Sequence, residues 1–445
     1  MKLSVVGLGK LGACTAACFA AKGFEVLGVD INKDFVQAVN SGRAPVYEPG
    51  LQDLINAAKG RLKATQDYEK AINDSDITFL IVPTPSKEDG NFSDKYLQDA
   101  LKHLALALKK SGKKYHLFVV TSTVSPGTIE EVIIPLIESI SGKKIDKEFG
   151  VCYNPEFIAL GSVINDFLHP DMVLIGESNS AAGEQLEDIY TRVCENKPYF
   201  ARMSIISAEI TKISLNSYIT LKISFANTLS NICENTKGAD IDAITKALGA
   251  DKRISAYYLK GGLSFGGPCF PRDNKAFTVF AARHGVDTKL ARSTDEINQL
   301  QIERIVSLIL SCVPENNPAI SILGLAYKPR TNVIEESPGV KIIEGLLKKR
   351  DVEIIAYDPL AMDNARARFG DNILYASSVR DCFADSSLCV ITTPDEEFKK
   401  IDENYIVNQP TTIVDCWRIL DPAKFRQNAN YIALGRALKT GDKKL

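Results

Sequence analysis

A glycine motif near the N-terminus constrains the fold more than any other part of the sequence. Residues 5–12 read VVGLGKLG, which places G-x-G-x-x-G at Gly7, Gly9 and Gly12, with Leu11 inside it, between a strand-like run and a helical stretch of small residues. These glycines permit a tight turn, close approach to a pyrophosphate and close helix packing. Asp30 closes the next strand-like run, where a carboxylate can bind ribose hydroxyls and repel a 2′-phosphate. The motif predicts a dinucleotide site that favours NAD over NADP, rather than a turn with packing glycines only.

Short β-branched runs alternate with helical patterns in both the first and the last third of the chain. The predicted strands are residues 2–7, 25–30, 77–82, 117–122, 150–153, 319–325, 352–357, 387–392 and 411–415. This alternation predicts βαβ units and parallel sheets. An acid closes the second strand in both halves, as Asp30 and Asp358, and a later strand runs into a proline-bearing loop in both. Two nucleotide-binding α/β domains are therefore expected to flank a helical middle.

The helical middle centres on residues 207–235, which contain neither glycine nor proline and carry apolar side chains all round. A helix of this length that is apolar on every side is expected to be a buried connecting element, and it could also form a subunit interface. Further helices are predicted over residues 240–248 and 274–285.

Composition limits the classes of partner. The 53 basic and 55 acidic residues nearly balance, so no global positive field attracts nucleic acid, and an anionic ligand must be bound by a local site. No apolar run is long enough to span a bilayer, and the N-terminus does not resemble a signal peptide. The ten cysteines are scattered without C-x-x-C spacing, which fits a reduced cytoplasmic protein.

One cysteine lies in an unusual setting. Residues 261–273 read GGLSFGGPCFPRD, so four glycines and two prolines form a backbone-rich loop around Cys269. Such a loop can approach a ligand closely, and Arg272 or a following helix N-terminus could favour the thiolate. A thiolate beside a nicotinamide can add to an aldehyde to give a thiohemiacetal that is oxidised to a thioester. The alternative is a buried structural cysteine in a tight loop.

The same loop resembles the active-site loop of the UDP-glucose 6-dehydrogenase family, part of the UDP-glucose/GDP-mannose dehydrogenase superfamily. Other matching segments follow in the family's order along nearly the whole chain. They are VYEPGL at 46–51, PTP at 83–85, STV at 122–124, NPEF at 154–157, Lys212 with Asn216, KIS at 222–224, Arg253 with Ile254, and GLAYKP at 324–329. Several motifs in one order are far more specific than any single one.

The resemblance implies an α/β fold in which two Rossmann-like parallel-sheet domains are joined by a central helical region with one long helix. The implied domains are residues 1–200 for NAD binding, 201–300 for dimerisation with the cysteine loop, and 301–445 for nucleotide-sugar binding. It also implies a homodimer or a higher homo-oligomer, and no metal. The four histidines lie outside every matched segment.

The resemblance further implies roles for individual residues. Cys269 would be the nucleophile, and Glu156 would assist attack of water on the thioester. Lys212 and Asn216, four apart on one helix face, would stabilise a developing alkoxide. The implied catalytic residues are Cys269, Lys212, Asn216, Glu156, Asp273 and Thr123, the last two holding a water. The implied NAD-binding residues are Gly7, Gly9, Leu11, Gly12, Asp30, Lys33, Pro83, Thr84, Ser122, Thr123 and Arg272. The implied substrate-binding residues are Phe157, Lys212, Asn216, Arg253, Phe265, Gly266 and Lys328.

Several positions depart from the family pattern. Pro268 stands where serine usually precedes the cysteine, Leu160 where an acid often follows NPEF, and Ser255 where glycine usually follows Arg-Ile. Residues 331–336 read TNVIEE where the family often has T-D-D-x-R-E, and residues 415–418 read DCWR where it has D-G-R-N. Relative to the family pattern, the charge or the capacity to bind phosphate therefore differs at Asn332, Glu335 and Trp417. These positions lie in the segment that the resemblance assigns to nucleotide-sugar binding.

The implied reaction converts a nucleotide-diphosphate hexose, two NAD⁺ and water to the hexuronate and two NADH, as a supply for polysaccharide biosynthesis. UDP-glucose is the expected substrate, because Cys-Phe-Pro-Arg-Asp resembles that branch. The N-acetylhexosamine branch usually has Gly-His-Cys-Ile-Pro, and the GDP-mannose branch tends to Cys-Leu-Pro. The alternatives are another nucleotide sugar, a single-step β-hydroxyacid dehydrogenase of the 6-phosphogluconate type, and a nucleotide-sugar sensor without turnover. Cys269 and the second α/β domain disfavour the single-step enzyme.

Overall fold

The computed structural model describes residues 1–58, 60–158, 160–313, 319–349, 351–407, 411–425 and 427–437. These residues form two compact units, Met1–Ser214 and Leu215–Leu445. The boundary lies inside the helix Ile205–Glu234. No helix in the described ranges is long and apolar enough to cross a membrane.

The N-terminal unit is built on one eight-stranded sheet. Its strands are β1 (Lys2–Val6), β2 (Glu25–Val29), β3 (Leu62–Thr65), β4 (Ile77–Leu80), β5 (His116–Val120), β6 (Phe149–Tyr153), β7 (Met172–Glu177) and β8 (Tyr199–Ser204). Its helices are α1 (Lys10–Ala21), α2 (Lys33–Asn40), α3 (Leu51–Ala57), α4 (Tyr68–Asp74), α5 (Lys95–Lys110), α6 (Ile134–Ser141), α7 (Val163–Leu168) and α8 (Ser180–Val193). A π-helical turn, Ile129–Ile133, leads into α6.

The strand order in this sheet is β3-β2-β1-β4-β5-β6-β7-β8. All neighbouring pairs are parallel except β6 and β7, so the expectation of a parallel sheet holds for the first six strands and fails at that pair. The strands β3, β7 and β8 were not predicted from the sequence. The short β3 alternates buried with exposed residues, and β8 carries an arginine and a terminal serine, so neither gives the continuous apolar run of a central parallel strand.

The C-terminal unit contains a six-stranded, all-parallel sheet. Its strands are β9 (Ala319–Leu323), β10 (Glu353–Tyr357), β11 (Leu374–Tyr375), β12 (Leu388–Ile391), β13 (Thr411–Asp415) and β14 (Ala429–Ala433). Their order, β11-β10-β9-β12-β13-β14, repeats the order of the first six strands of the N-terminal unit. Both units therefore have the doubly wound arrangement that the sequence predicts.

Helices precede the strands of this second sheet in the chain and alternate with them. The long helix α9 spans Ile205–Glu234, close to the predicted 207–235. The remaining helices are α10 (Ile241–Ala250), α11 (Phe270–Arg283), α12 (Lys289–Cys312), α13 (Pro338–Lys349), α14 (Met362–Phe369) and α15 (Val379–Asp385). The 24-residue helix α12 was not predicted, because its buried face carries polar side chains such as Thr294, Asn298 and Gln301.

Candidate active site

The glycine loop of the N-terminal unit has a shape that only glycine allows. Gly7 has φ +96°, and a Cβ there would overlap the carbonyl oxygen of Ile81. A Cβ on Gly12 would overlap the carbonyl of Gly7, so α1 packs directly against the turn. Gly9 faces open space, and α1 begins after it without a side-chain cap. The first N–H groups of α1 can therefore bind an anion, which fits the pyrophosphate of NAD.

Asp30 connects the end of β2 to this loop. Its Oδ2 accepts a hydrogen bond from the Leu8 backbone N–H at 2.6 Å, and its Oδ1 accepts one from the Asn32 N–H at 2.7 Å. Each oxygen has a second lone pair that could bind a ribose hydroxyl. Asn32 also caps α2, whose first residue is Lys33. The residues of this turn fit an adenosine ribose beside a pyrophosphate.

The loops after β4 and β5 are connected by side-chain hydrogen bonds. The Ser122 hydroxyl donates to the Val82 carbonyl at 2.7 Å and accepts from the Val82 N–H at 2.9 Å. The Thr84 hydroxyl donates to the Thr123 carbonyl at 2.7 Å. Pro83 lies between these contacts in the β4 loop. Strand order reverses between β1 and β4, and the crevice at such a switch point is where doubly wound sheets bind ligands.

Glu156 lies in the loop after β6, next to Lys212 of α9. The Lys212 Nζ donates to the Glu156 backbone carbonyl at 2.5 Å, and it lies 4.5 Å from the centroid of the Phe157 ring. The Tyr190 hydroxyl oxygen is 3.0 Å from Glu156 Oε1. Burial raises the pKa of Glu156 to about 7, against the opposing effects of the Tyr190 hydrogen bond and the Lys212 charge. A carboxyl with this pKa can accept a proton near neutral pH.

The cysteine loop of the C-terminal unit is fixed mainly through its backbone. Asn298 of α12 accepts from the Phe265 N–H at 2.7 Å and donates to the Phe265 carbonyl at 3.0 Å. Gly266 leaves no room for a Cβ beside the Glu336 carbonyl, and a Cβ on Gly267 would lie 2.6 Å from the Tyr327 ring. The loop conformation therefore depends on tight packing against α12 and against the connection that follows β9.

Cys269 is the residue immediately before α11, and it is exposed, whereas the other nine cysteines, all in the described ranges, are buried or half-buried. Asp273, in the first turn of α11, is 1% exposed and accepts from Asn216 Nδ2 at 2.6 Å. Arg272 donates to the other Asp273 oxygen at 3.4 Å. The C-terminal unit thus brings together Cys269, Arg272, Asp273 and Asn216, as the N-terminal unit brings together Glu156, Phe157 and Lys212.

Two predicted substrate contacts lie elsewhere in the C-terminal unit. The Arg253 guanidinium pairs with Asp251, and its side chain is 88% exposed. Ser255 has φ +67°, in the left-handed region, which gives a physical reason for the glycine that the family prefers there. The Nζ of Lys328 lies 5.8 Å from the centroid of the Tyr327 ring, on the connection that also packs on the cysteine loop.

The other departures from the family pattern have structural surroundings that can be described. Leu160 packs against the apolar core of the N-terminal unit. The Glu335 carbonyl accepts from the Gly267 N–H at 3.2 Å. The Trp417 indole N–H donates to the Thr392 carbonyl at 2.8 Å, and the next residue, Arg418, forms a bidentate pair with Asp242 at 2.8 and 2.9 Å. The guanidinium of Arg418 is therefore paired with the Asp242 carboxylate. Nothing in the structure explains Pro268.

Two residues near the candidate site were missed because no local pattern marks them. Tyr190 follows Glu156 by 34 positions and looks in the sequence like a core aromatic residue of α8. Asn298 looks like a polar interruption of a helix. Their contacts form only when distant segments pack together.

Comparisons with known proteins indicate the family of the chain. Three models of the UDP-glucose/GDP-mannose dehydrogenase family match the chain: the NAD binding domain over residues 1–194, the central domain over 206–300 and the UDP binding domain over 321–422. A UDP-glucose 6-dehydrogenase from Haloferax volcanii is 36% identical over 94% of this chain and 97% of its own length. A GDP-mannose 6-dehydrogenase from Pseudomonas aeruginosa is 36% identical over 78% of this chain and 79% of its own.

Solved structures give the same result. A UDP-glucose dehydrogenase from Pyrobaculum islandicum has a TM-score of 0.88 and 32% identity, covering 98% of both chains. A UDP-D-ManNAc dehydrogenase from Pyrococcus horikoshii has a TM-score of 0.82 at 23% identity over 98% of this chain and 99% of that one, which shows the fold alone. The chain therefore belongs to the UDP-glucose/GDP-mannose dehydrogenase family and is an NAD-dependent oxidoreductase.

Proposed function

We propose that the protein oxidises the C6 alcohol of UDP-glucose to the carboxylate in two steps, with Cys269 as the covalent nucleophile. The observation that carries the proposal is the exposed thiol of Cys269 at the start of α11, in a loop fixed by backbone contacts. The positive end of the α11 dipole favours negative charge at this place. The 36% identical UDP-glucose 6-dehydrogenase, matched over 94% of the chain, supports UDP-glucose as the sugar.

The first oxidation needs an acceptor for hydride and a group that stabilises oxygen. The glycine loop would hold NAD, which would supply the hydride acceptor for each oxidation. Lys212 and Asn216 lie one turn apart on α9, and their side chains would bind the C6 oxygen while its proton passes to a water held by Thr123 and Asp273. The C6 aldehyde is the product of this step.

The second oxidation and the hydrolysis use the thiolate and the carboxylate. The Cys269 Sγ forms a C–S bond with C6, the oxygen takes a proton from water, and loss of a hydride and that proton leaves a thioester. Water then attacks the thioester carbon while Glu156 takes its proton. The C–S bond breaks, the thiolate leaves, and the uronate is released. The raised pKa of Glu156, about 7, suits this transfer.

We also propose that the protein is a homodimer formed through α9. Tyr218, Phe225 and Ile232 are exposed on this helix at seven-residue spacing, which is the repeat of a helix pair. The exposed Arg253 would contact substrate in the partner's site. Gel filtration should give about twice the chain mass of 48.7 kDa, and elution at 48.7 kDa would contradict the dimer.

The proposed reaction is tested by counting NADH for each sugar consumed. UDP-glucose, UDP-galactose, UDP-N-acetylglucosamine, UDP-N-acetylmannosamine and GDP-mannose would be compared with wild-type protein and with Cys269→Ser. Two NADH for each UDP-glucose, lost in Cys269→Ser, is the expected result. Turnover of another sugar alone would overturn the substrate and keep the chemistry. The 36% identical GDP-mannose 6-dehydrogenase makes GDP-mannose the second candidate. Binding without NADH formation would indicate a sensor.

A further inference from the structure

A chain of three polar side chains extends from the half-buried Glu156 to Tyr190 and Asn154, which are buried in the N-terminal unit. The Tyr190 hydroxyl oxygen lies 3.0 Å from Glu156 Oε1 and 2.6 Å from Asn154 Oδ1. We propose that Asn154 and Glu156 compete for the single hydrogen of this hydroxyl, and that the competition makes Tyr190 a positioning residue that prepares Glu156 to take a proton from water. The inference rests on the proposed role of Glu156 in thioester hydrolysis.

The orientation of the Asn154 amide follows from its other contact. Its Nδ2 donates to the Leu174 carbonyl at 2.9 Å, and a carbonyl can only accept. The atom facing Tyr190 is therefore the amide oxygen, which also can only accept. Asn154 is 2% exposed and Tyr190 is 2% exposed, so water does not supply a missing hydrogen readily.

Counting hydrogens shows which protonation state the chain favours. With Glu156 protonated, its O–H donates to the Tyr190 oxygen while the Tyr190 O–H donates to Asn154, and every contact has its hydrogen. With Glu156 ionised, the Tyr190 O–H must turn to the carboxylate, and the Asn154 oxygen loses its donor. The shorter contact, 2.6 Å to Asn154, matches the first arrangement. Asn154 thus raises the proton affinity of Glu156 through Tyr190.

The charged and titratable groups facing Glu156 come from three helices. Lys212 of α9 favours the ionised carboxylate. Cys18 of α1 and Cys194 after α8 have pKa values raised by burial, to about 11 for Cys194, so both are neutral thiols. Burial also raises the pKa of Tyr190 well above its usual value, which keeps its hydroxyl protonated. The proton that moves near neutral pH therefore belongs to Glu156.

The experiment is a double-mutant cycle on the protonation of Glu156 with Asn154→Ala, Tyr190→Phe and the double variant. Protonation is read by infrared difference spectroscopy of the carboxylic-acid stretch, with Glu156→Gln identifying the band, and this readout needs no substrate. The acid limb of kcat for thioester hydrolysis is the second readout. Tyr115→Phe, which removes another half-buried hydroxyl of the same unit, is the matched control.

Asn154→Ala is expected to lower both midpoints by roughly half to one pH unit, the equivalent of one buried neutral hydrogen bond. The same substitution in the Tyr190→Phe background is expected to move neither midpoint, because no shared hydrogen is left. Equal shifts in both backgrounds, or no shift in either, would overturn the inference, even where thermal stability falls. If Glu156→Gln keeps full hydrolysis, the proposed role of Glu156 fails and the inference fails with it, whereas an unmoved midpoint with inactive Glu156→Gln defeats the inference alone.

Discussion

The two sheets of the molecule share the order of their first six strands and differ in the connection between the first strand and the next helix. Both begin with the strand order 3-2-1-4-5-6. In the N-terminal unit α1 begins at Lys10, immediately after the glycine turn, whereas in the C-terminal unit residues 324–337 intervene before α13. In both units a glycine lets the helix pack closely on the turn after the first strand. A Cβ on Gly12 would overlap the Gly7 carbonyl, and a Cβ on Gly339 would overlap the Gly324 carbonyl.

The length of this connection changes what each unit can bind. The short turn leaves the N-terminus of α1 open at Gly9, which suits a pyrophosphate. The long connection instead packs on the cysteine loop through Tyr327, Glu335 and Glu336. Glu336 has φ +53°, so the connection holds a strained backbone at this contact. One strand order therefore carries the glycine turn in one unit and supports the Cys269 loop in the other.

Substituting the packing glycines should give the largest difference between the two units. Gly12→Ala and Gly339→Ala both force a Cβ against a backbone carbonyl, so each should destabilise its own unit by about 3 kcal/mol or more. Only Gly12→Ala should also weaken NADH binding, by at least about tenfold, because the displaced turn carries the proposed pyrophosphate site. Hydrogen exchange of β1 and β9 peptides, with NADH fluorescence, measures both. Equal loss of NADH binding in the two variants would contradict this division.

The paired aspartates give the next largest contrast. Asp358 accepts backbone N–H groups from Leu325, Ala326, Leu360 and Ala361, whereas Asp30 accepts two. Asp358→Asn places an amide N–H₂ against donors and should destabilise the C-terminal unit by about 3 kcal/mol, with little effect on NADH binding. Asp30→Asn should destabilise less and weaken NADH binding by about tenfold. The reverse order in thermal unfolding would show that Asp30 is chiefly structural.

What the sequence could predict follows the same contrast between local and distant contacts. The local structure of the glycine turn and of the strand end at Asp30 could be predicted, because the turn, the strand end and the helix start lie within one βαβ unit. The strands β3 and β8 and the helix α12 were missed, because strands that carry exposed or polar residues and a helix with Asn298 on its buried face lack the apolar pattern of a core element. The contact of Gly267 with Tyr327 joins segments far apart in sequence, so no local pattern could show it.

The two buried acids of α9 extend the comparison to pH. Glu209, in the N-terminal unit, accepts from the Gly127 and Ile129 N–H groups at 2.7 and 3.1 Å, and burial raises its pKa from 4.5 to about 7. Glu234, in the C-terminal unit, pairs with Arg304. Because the folded pKa of Glu209 exceeds the unfolded one, the folded state binds the proton more tightly, and stability is lost as pH rises from about 4.5 to 7.

Glu209→Gln should therefore leave the N-terminal unit about as stable as wild type near pH 5 and flatten its decline toward pH 8, a difference of about 2 kcal/mol. Glu234→Gln should instead destabilise the C-terminal unit over the whole range, because Arg304 loses its charged partner. Urea unfolding at several pH values, followed by hydrogen exchange of each unit, measures the two slopes. A pH slope in Glu209→Gln as steep as that of wild type would exclude Glu209 as its source.

A pair of serines that includes one residue of the first strand occurs in both units. Substituting it should give the smallest difference in stability between the units. The Ser75 and Ser4 hydroxyl oxygens lie 2.9 Å apart, and the Ser386 and Ser321 hydroxyl oxygens lie 2.8 Å apart. Ser4 also contacts the Thr78 hydroxyl, which contacts the buried His116, so the N-terminal pair belongs to a longer chain of hydrogen bonds.

Ser386→Ala should destabilise its unit by about 1 kcal/mol, the usual value of one hydrogen bond, and Ser75→Ala by a few tenths of a kcal/mol more. Local hydrogen exchange at β9 and β1 can resolve them. His116→Phe should reduce the effect of Ser75→Ala to that of Ser386→Ala if the longer chain is its cause. If the difference survives His116→Phe, it arises instead from packing around Ser75, and the two pairs are equivalent only in geometry.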